Sequence, residues 1–180
     1  MTSFLSGQIL TADDLNDAFA SVETLKARKT GNETVNNSTT YQDDNHLLLT
    51  PSINTTYTGH LHLIYSATNT IDFKGRFTYP SGATVSAGWL APESGTNQSD
   101  FEGDVRFGSI LAMASPLSDM VFGTHNTGGG TAAPVTAEIW FDLAMGSTAG
   151  QLVFQWAQNA AVATDLILYA GSYIEMKREA

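Results

Sequence analysis

The chain has no cysteine among its 180 residues. Disulfides, thiolate metal sites and cysteine nucleophiles are therefore excluded, and cysteine usage gives no clue to redox compartment. Charge is also scarce. Asp, Glu, Lys and Arg make up 14% of the chain, against about 25% in ordinary soluble domains. Lys and Arg number 8 against 18 acids, for a formal net charge of -10. That balance opposes nucleic-acid binding, which needs cations placed on phosphates, and adhesion to anionic membrane surfaces. No apolar run approaches the roughly 18 residues of a membrane-spanning helix, so no membrane insertion is expected. The opening MTSFLSGQIL lacks a basic flank and a long apolar centre, so no secretory signal is expected either. Without one, Asn-x-Ser/Thr triplets such as Asn32-Glu33-Thr34 and Asn54-Thr55-Thr56 read as chance matches in an Asn- and Thr-rich chain.

Catalytic signatures are missing as well. No nucleophile elbow surrounds a serine. Gly128-Gly129-Gly130 is not followed by the Lys-Ser/Thr of a phosphate-cradling loop. Glu138 and Asp142 fall on one face of one strand, but nothing places either in the apolar pocket that would raise its pKa for acid catalysis. The expectation is a protein that is not an enzyme and carries no cofactor.

What is present is alternation. Val135, Ala137, Ile139, Phe141 and Leu143 are apolar, and Trp140 interrupts the polar set between them. Leu152, Phe154 and Trp156 repeat the pattern. So do Tyr57 to Tyr65, Ile71 to Tyr79 and Ala83 to Trp89, with a turn at Pro80-Ser81-Gly82. Side chains alternate faces with period two in a strand, so these segments read as half-buried strands. The hydrophobic fraction of 42% is enough for a real core. Many short strands with frequent turns predict an all-β sandwich or jelly roll.

Residues 1–30 read differently. Thr11 is a good helix N-cap, and Asp13 and Asp14 follow in the first turn. Leu15, Ala18, Val22 and Leu25 recur at heptad spacing, which predicts a helix running to Lys26, Arg28 and Lys29. A helix of about 17 residues is marginal alone and needs its own domain or copies of itself as a partner. The expected organisation is an N-terminal attachment segment or short helical stalk over 1–30, a polar linker over 31–45, and a β-sandwich head over 46–180. In the last strands, Leu166 and Leu168 occupy one face and Ile167 and Tyr169 the other. A two-sided apolar strand needs cover on both sides, which argues for an oligomer. The expected interface residues are Leu15, Ala18, Val22, Leu25, Ile167 and Tyr169.

Two long loops, 91–104 and 123–134, are expected to carry recognition, as long loops on a rigid scaffold do. Asp100, Phe101, Glu102 and Asp104 in the first combine a stacking surface with acceptors that suit a sugar. Their spacing falls short of a calcium loop. Trp140 joins them as a ligand candidate, since an aromatic on a polar strand face stacks on sugars or fills a partner's pocket; Trp89 is a further candidate of the same kind. His60 and His62 share a strand face, with Asp72 or His46 as third ligands to complete a metal site. They read instead as exposed histidines, and no metal is expected.

Several stretches also resemble known proteins. MTSFLSGQILTADDLNDAF, with its Gly-Gln-x-Leu-Thr-Ala stretch and Leu-Asn-x-x-Phe helix, resembles the opening of many tailed-phage fibre and appendage proteins. TTYQDDNHLLLTPSINTTYTGHLHLIYSATNTIDFKGRFTYPSGA, AGQLVFQWAQN and AGSYIEMKREA resemble patterns in virion proteins of actinobacterial phages. The resemblance implies a virion protein made in the host cytoplasm. It implies a homotrimeric fibre, spike or decoration with a jelly-roll or tumour-necrosis-factor-like head, attached to another virion protein through its N-terminal segment. Binding of a host-surface glycan is one role it implies; capsid stabilisation without receptor activity is the alternative.

Overall fold

The computed structural model describes residues 6–7, 9, 11–20, 23–66, 71–92, 105–112, 119–123, 125–126 and 132–179, with side chains left out at 17, 20, 105–112, 125–126 and 132. Among the described residues the chain is all-β apart from one short helix, α1 (Ala12–Ala20). The strands are β1 (Thr24–Arg28), β2 (Glu33–Asn36), β3 (Gln42–Leu49), β4 (Thr56–Ser66), β5 (Phe73–Thr78), β6 (Thr84–Pro92) and β7 (Val105–Ala112). They continue with β8 (Met120–Phe122), β9 (His125–Asn126), β10 (Ala132–Ala133), β11 (Val135–Ala144), β12 (Leu152–Gln158), β13 (Asp165–Leu168) and β14 (Tyr173–Arg178).

Two antiparallel sheets form a sandwich. The larger runs β1-β14-β4-β11-β6-β7, with β13 joining β2 to β4, and the smaller runs β3-β12-β5-β8. Among the described residues β9 and β10 pair with each other. Set aside the β6–β7 hairpin and the two short accessory pairs, and eight strands remain. First pairs with last (β1–β14), second with seventh (β3–β12), third with sixth (β4–β11) and fourth with fifth (β5–β8). This is the pairing of one long two-stranded ribbon folded over on itself.

The core lies between the sheets. Tyr57, Leu61, Leu63 and Tyr65 of β4 and Ile139, Phe141 and Leu143 of β11 meet Phe73 and Phe77 of β5 and Phe154 and Trp156 of β12, all essentially buried. Rings lock the layers together: Tyr65 lies 4.8 Å from Phe73 and Phe77 5.0 Å from Phe141, centroid to centroid. Gly59 on β4 makes room for the Phe141 ring, which a Cβ there would overlap.

The N-terminal segment departs from the helical expectation. Thr11 does cap α1, its Oγ1 accepting from Asp14 N (3.1 Å) while Asp14 Oδ2 accepts from Thr11 N (3.0 Å), a reciprocal capping box. These bonds to Thr11 hold the Asp14 carboxyl below its usual range. The helix is described over Ala12–Ala20, however, and Thr24–Arg28 is a strand on β14. Leu25 is therefore no part of a helical seam: it and Ala27 face inward and pack against the core, while Lys26 faces out to Glu175. The two periods overlap over these residues, and pairing with a distant strand decides between them. Val22 lies outside the described residues. The stretch expected as a linker holds β2 and the start of β3.

Lys29, expected at a helix end, is buried. The β3–β12 register slips between Val153 and Gln155, so the stretch of β3 between Asp43 and Leu48 bulges. Asp44 plugs the bulge with a fully buried side chain. Its Oδ1 accepts from His46 N (2.9 Å) and Leu47 N (2.8 Å), and its Oδ2 accepts from Lys29 Nζ (2.7 Å). Glu33 Oε2 is the ammonium's second counter-charge at 2.9 Å, poorly aligned for a hydrogen bond.

Candidate functional site: the outer face of the large sheet

Strand alternation puts the second side-chain set of the large sheet on its outer face, and the registers place these residues in rows. Lys26, Glu175, His60, Trp140 and Gly88 follow one another across β1, β14, β4, β11 and β6. The adjacent row holds Arg28, Tyr173, His62, Glu138 and Leu90.

The side chains form one connected cluster. Glu138 accepts from His60 Nε2 (2.7 Å) through one carboxylate oxygen and from His62 Nδ1 (2.6 Å) through the other. An ionised carboxylate only accepts, so each imidazole carries its proton on the nitrogen facing Glu138, and that contact sets both tautomers. Tyr173 stacks on His62 at 5.4 Å and meets His60 edge-on at 5.7 Å. Lys26 Nζ lies 4.7 Å above the Tyr173 ring and 2.8 Å from Glu175 Oε2. Trp140 lies beside His60, 5.9 Å between centroids and 24° from parallel, and is 48% exposed. Trp140 is exposed while His60, His62 and Glu138 are half-buried, and both Glu138 oxygens are engaged. Such an arrangement suits recognition of a flat or partly apolar surface better than enclosure of a reacting group.

Of the expected ligand residues, Trp140 is part of this cluster. Asp100, Phe101, Glu102 and Asp104 lie outside the described residues, as does most of each of the two long loops. Of the expected interface residues, Leu15 is exposed and Ala18 half-buried on α1. On β13, Leu166 and Leu168 are buried in the core, while Ile167 is half-buried on the opposite side. The half-buried Tyr169 follows β13, its OH 2.9 Å from Ser66 Oγ. Sequence reasoning missed Tyr173, Lys26 and the role of Glu138. The alternation of YIEMKR could have placed Tyr173 and Glu175 outward, but which histidine faces which acid depends on strand pairing.

A second polar cluster surrounds Lys29. Glu33, Asp44 and His46 bring donor atoms within 4.8 Å of one another, the one such trio among the described residues. The Lys29 ammonium already sits at ion-pair distance from both carboxylates. The trio is thus supplied with a cation by the chain itself, and His46 turns its Nε2 to Thr30 Oγ1 at 3.1 Å.

No protein family matches the chain, and no curated protein does. Among solved structures, the chain is weakly similar to chains from infectious bursal disease virus. For the Gt strain the identity is 10% with a TM-score of 0.20, over 88% of this chain and 38% of that one. For the VP2 subviral particle the identity is 7% with a TM-score of 0.23, over 88% and 40%. The chain thus spans about two fifths of these proteins, and no residue role is carried over from them.

Proposed function

We propose that this is a non-enzymatic structural protein of a phage virion, a short homotrimeric fibre or spike with a jelly-roll head. The first-with-last, second-with-seventh pairing of the eight ribbon strands supports the jelly roll, since two wound Greek keys produce that order. The observation that carries the attachment role is the N-terminal segment. Its phage-like sequence leads into a nine-residue helix, and Ile9 ahead of the helix and Leu15 and Phe19 on it are exposed, at 88%, 41% and 69%. A helix that short does not hold itself in water, so those side chains fit a partner: another virion protein, or other copies of the chain at the same segment. Ile167 and Tyr169, half-covered beside the core strand, are the second contact surface of the trimer.

The head would display its outer surfaces to solvent and bind a host-surface glycan. Light scattering of the purified chain tests the assembly: about three times the 19.2 kDa chain mass is expected, and a monomer at micromolar concentration would overturn it. A virion density map with this sandwich attached by its first residues tests the role. A capsid-stabilising decoration is the second reading. It would be favoured if phage adsorption to host cells were unchanged by Phe101→Ala and by shortening Gly128–Gly130.

A further inference from the structure

We infer that Lys29, Asp44 and Glu33 form a self-modifying site, in which Lys29 Nζ condenses with the Asp44 carboxyl to give an isopeptide amide and one water. The reaction needs only this folded chain, so it stands apart from the virion role.

The Lys29 and Asp44 side chains are both fully buried, with Nζ 2.7 Å from Asp44 Oδ2. Each is fixed from its own side. Lys29 N donates to Ser172 O (2.8 Å) and Lys29 O accepts from Gly171 N (2.9 Å). Asp44 is held in the β3 bulge by the backbone N–H groups of His46 and Leu47, which both donate to Oδ1. Glu33, which opens β2, brings Oε2 to 2.9 Å from Nζ. Its Oε1 accepts from Asn45 Nδ2 (2.7 Å) and lies 3.6 Å from His46 Nδ1. Oε2 is buried and has no hydrogen-bond partner among the described residues. An amine, a carboxyl and an unengaged base therefore meet at a place that water does not reach.

Keeping two charges out of water is costly, and condensation removes both. Within the pair, a proton passes from the ammonium to Asp44 Oδ2, which leaves an amine beside a carboxylic acid. The Nζ lone pair attacks Cγ, and the electrons of the Cγ–Oδ1 double bond move onto Oδ1. The two backbone N–H groups already on Oδ1 serve as an oxyanion hole for that charge. Glu33 Oε2 takes the proton that Nζ then sheds and passes it to the Oδ2 hydroxyl. The Cγ–Oδ2 bond breaks, water leaves and the carbonyl reforms. Glu33 ends as the carboxylate it was, and the net charge is unchanged because one cation and one anion vanish together. In the product Oδ1 keeps both backbone donors, and the new amide N–H faces Glu33 Oε2. Lys29 directly follows β1, at one edge of the large sheet, and Asp44 lies on β3, at one edge of the small sheet. The bond would staple the two sheets together between residues 15 apart in sequence. In a chain without cysteine, it would restrict the unfolded state as a disulfide does.

The test is the intact mass of the purified full chain, denatured and measured by electrospray. The chain mass is 19.2 kDa, and the product should be lighter by one water, about 18 Da. Trypsin should fail to cut after Lys29 and should release residues 29–74 as one looped peptide that carries the deficit. Lys29→Arg keeps a cation but has no amine to condense, and it should show the full mass. Glu33→Gln should slow bond formation by about a hundredfold or more, read as the cross-linked fraction in samples matched for time since synthesis. Lys29→Met bares the Asp44 carboxylate whether the parent is ionic or cross-linked, so mass and not stability separates the two forms. Full mass in the folded parent would overturn the inference. So would a deficit that persists in Lys29→Arg or maps away from Lys29 and Asp44, because an aspartyl succinimide would then account for it. Formation at the parent's rate in a folded Glu33→Gln chain would overturn the site as stated. If circular dichroism shows Glu33→Gln unfolded, the looped peptide of the parent decides alone.

Discussion

Replacing Lys29 with methionine keeps most of the side chain's volume and removes one charge from the interior. Lys29 is 1% exposed and Asp44 0%, so no water replaces the ammonium. Asp44 would keep its two backbone donors at 2.9 and 2.8 Å and lose its only counter-charge within a hydrogen bond, the 2.7 Å contact to Nζ. Glu33 loses the same cation. Breaking a buried pair from one side leaves an uncompensated charge, which costs about 3–5 kcal/mol. In a chain of this size each kcal/mol lowers the melting temperature by about 2–4 °C, so Lys29→Met should melt about 6–20 °C below the parent. Urea unfolding followed by circular dichroism gives the free energy directly, with the slope unchanged if the native fold persists. The double variant Lys29→Met/Asp44→Asn removes both charges while an amide oxygen still caps the bulge, and it should recover a large part of the loss. A cost for Lys29→Met below about 1 kcal/mol, the level of an exposed pair, would refute the reasoning.

Three further outcomes are expected. Gly59→Ala should destabilise by about 1–3 kcal/mol or more in the same unfolding assay, since its methyl would overlap the Phe141 ring between the sheets. Removing residues 1–22 should leave the cooperative unfolding transition intact, whereas removing 1–29 should abolish or broaden it, because the second cut takes β1 and the cation of Asp44. Burial raises the pKa of Tyr65, Tyr41, Tyr57 and Tyr79, with Asp72, Asp119 and Glu23 adding to the effect at the first three respectively. Above about pH 10 the unfolded chain therefore gives up protons that the native one keeps. Stability should be unaffected by these groups below that pH and fall as pH rises beyond it; a flat profile from pH 9 to 12 would contradict the burial.

The alternation from Val135 to Leu143 was legible because each residue's burial there follows from its own strand, and Trp140 could be put on the outer face for the same reason. Leu25 was not, because its spacing from Leu15, Ala18 and Val22 fits a helix as well as Thr24–Arg28 fits a strand. Its partner Met176 stands near the other end of the chain, where no local window can find it. The Glu138–His60–His62 cluster was hidden for a related reason. Each residue is visible on the polar face of its strand, but their meeting depends on the β4–β11 register. Asp44 falls in the stretch that reads as a polar linker, and only the slipped β3–β12 register turns it inward.

The pairing of β1 with β14 also sets an order of events during synthesis. β1 is among the first structured segments to leave the ribosome, yet Thr24 waits for Lys177 and Arg28 for Tyr173. At about 5–20 residues per second, the first strand remains without its neighbour for on the order of 10 s or more, exposing Leu25 and Ala27 throughout. The sandwich therefore cannot close gradually from its N-terminus. A nascent chain truncated before β14 should be a target for chaperones and proteases until translation of the last strand is complete.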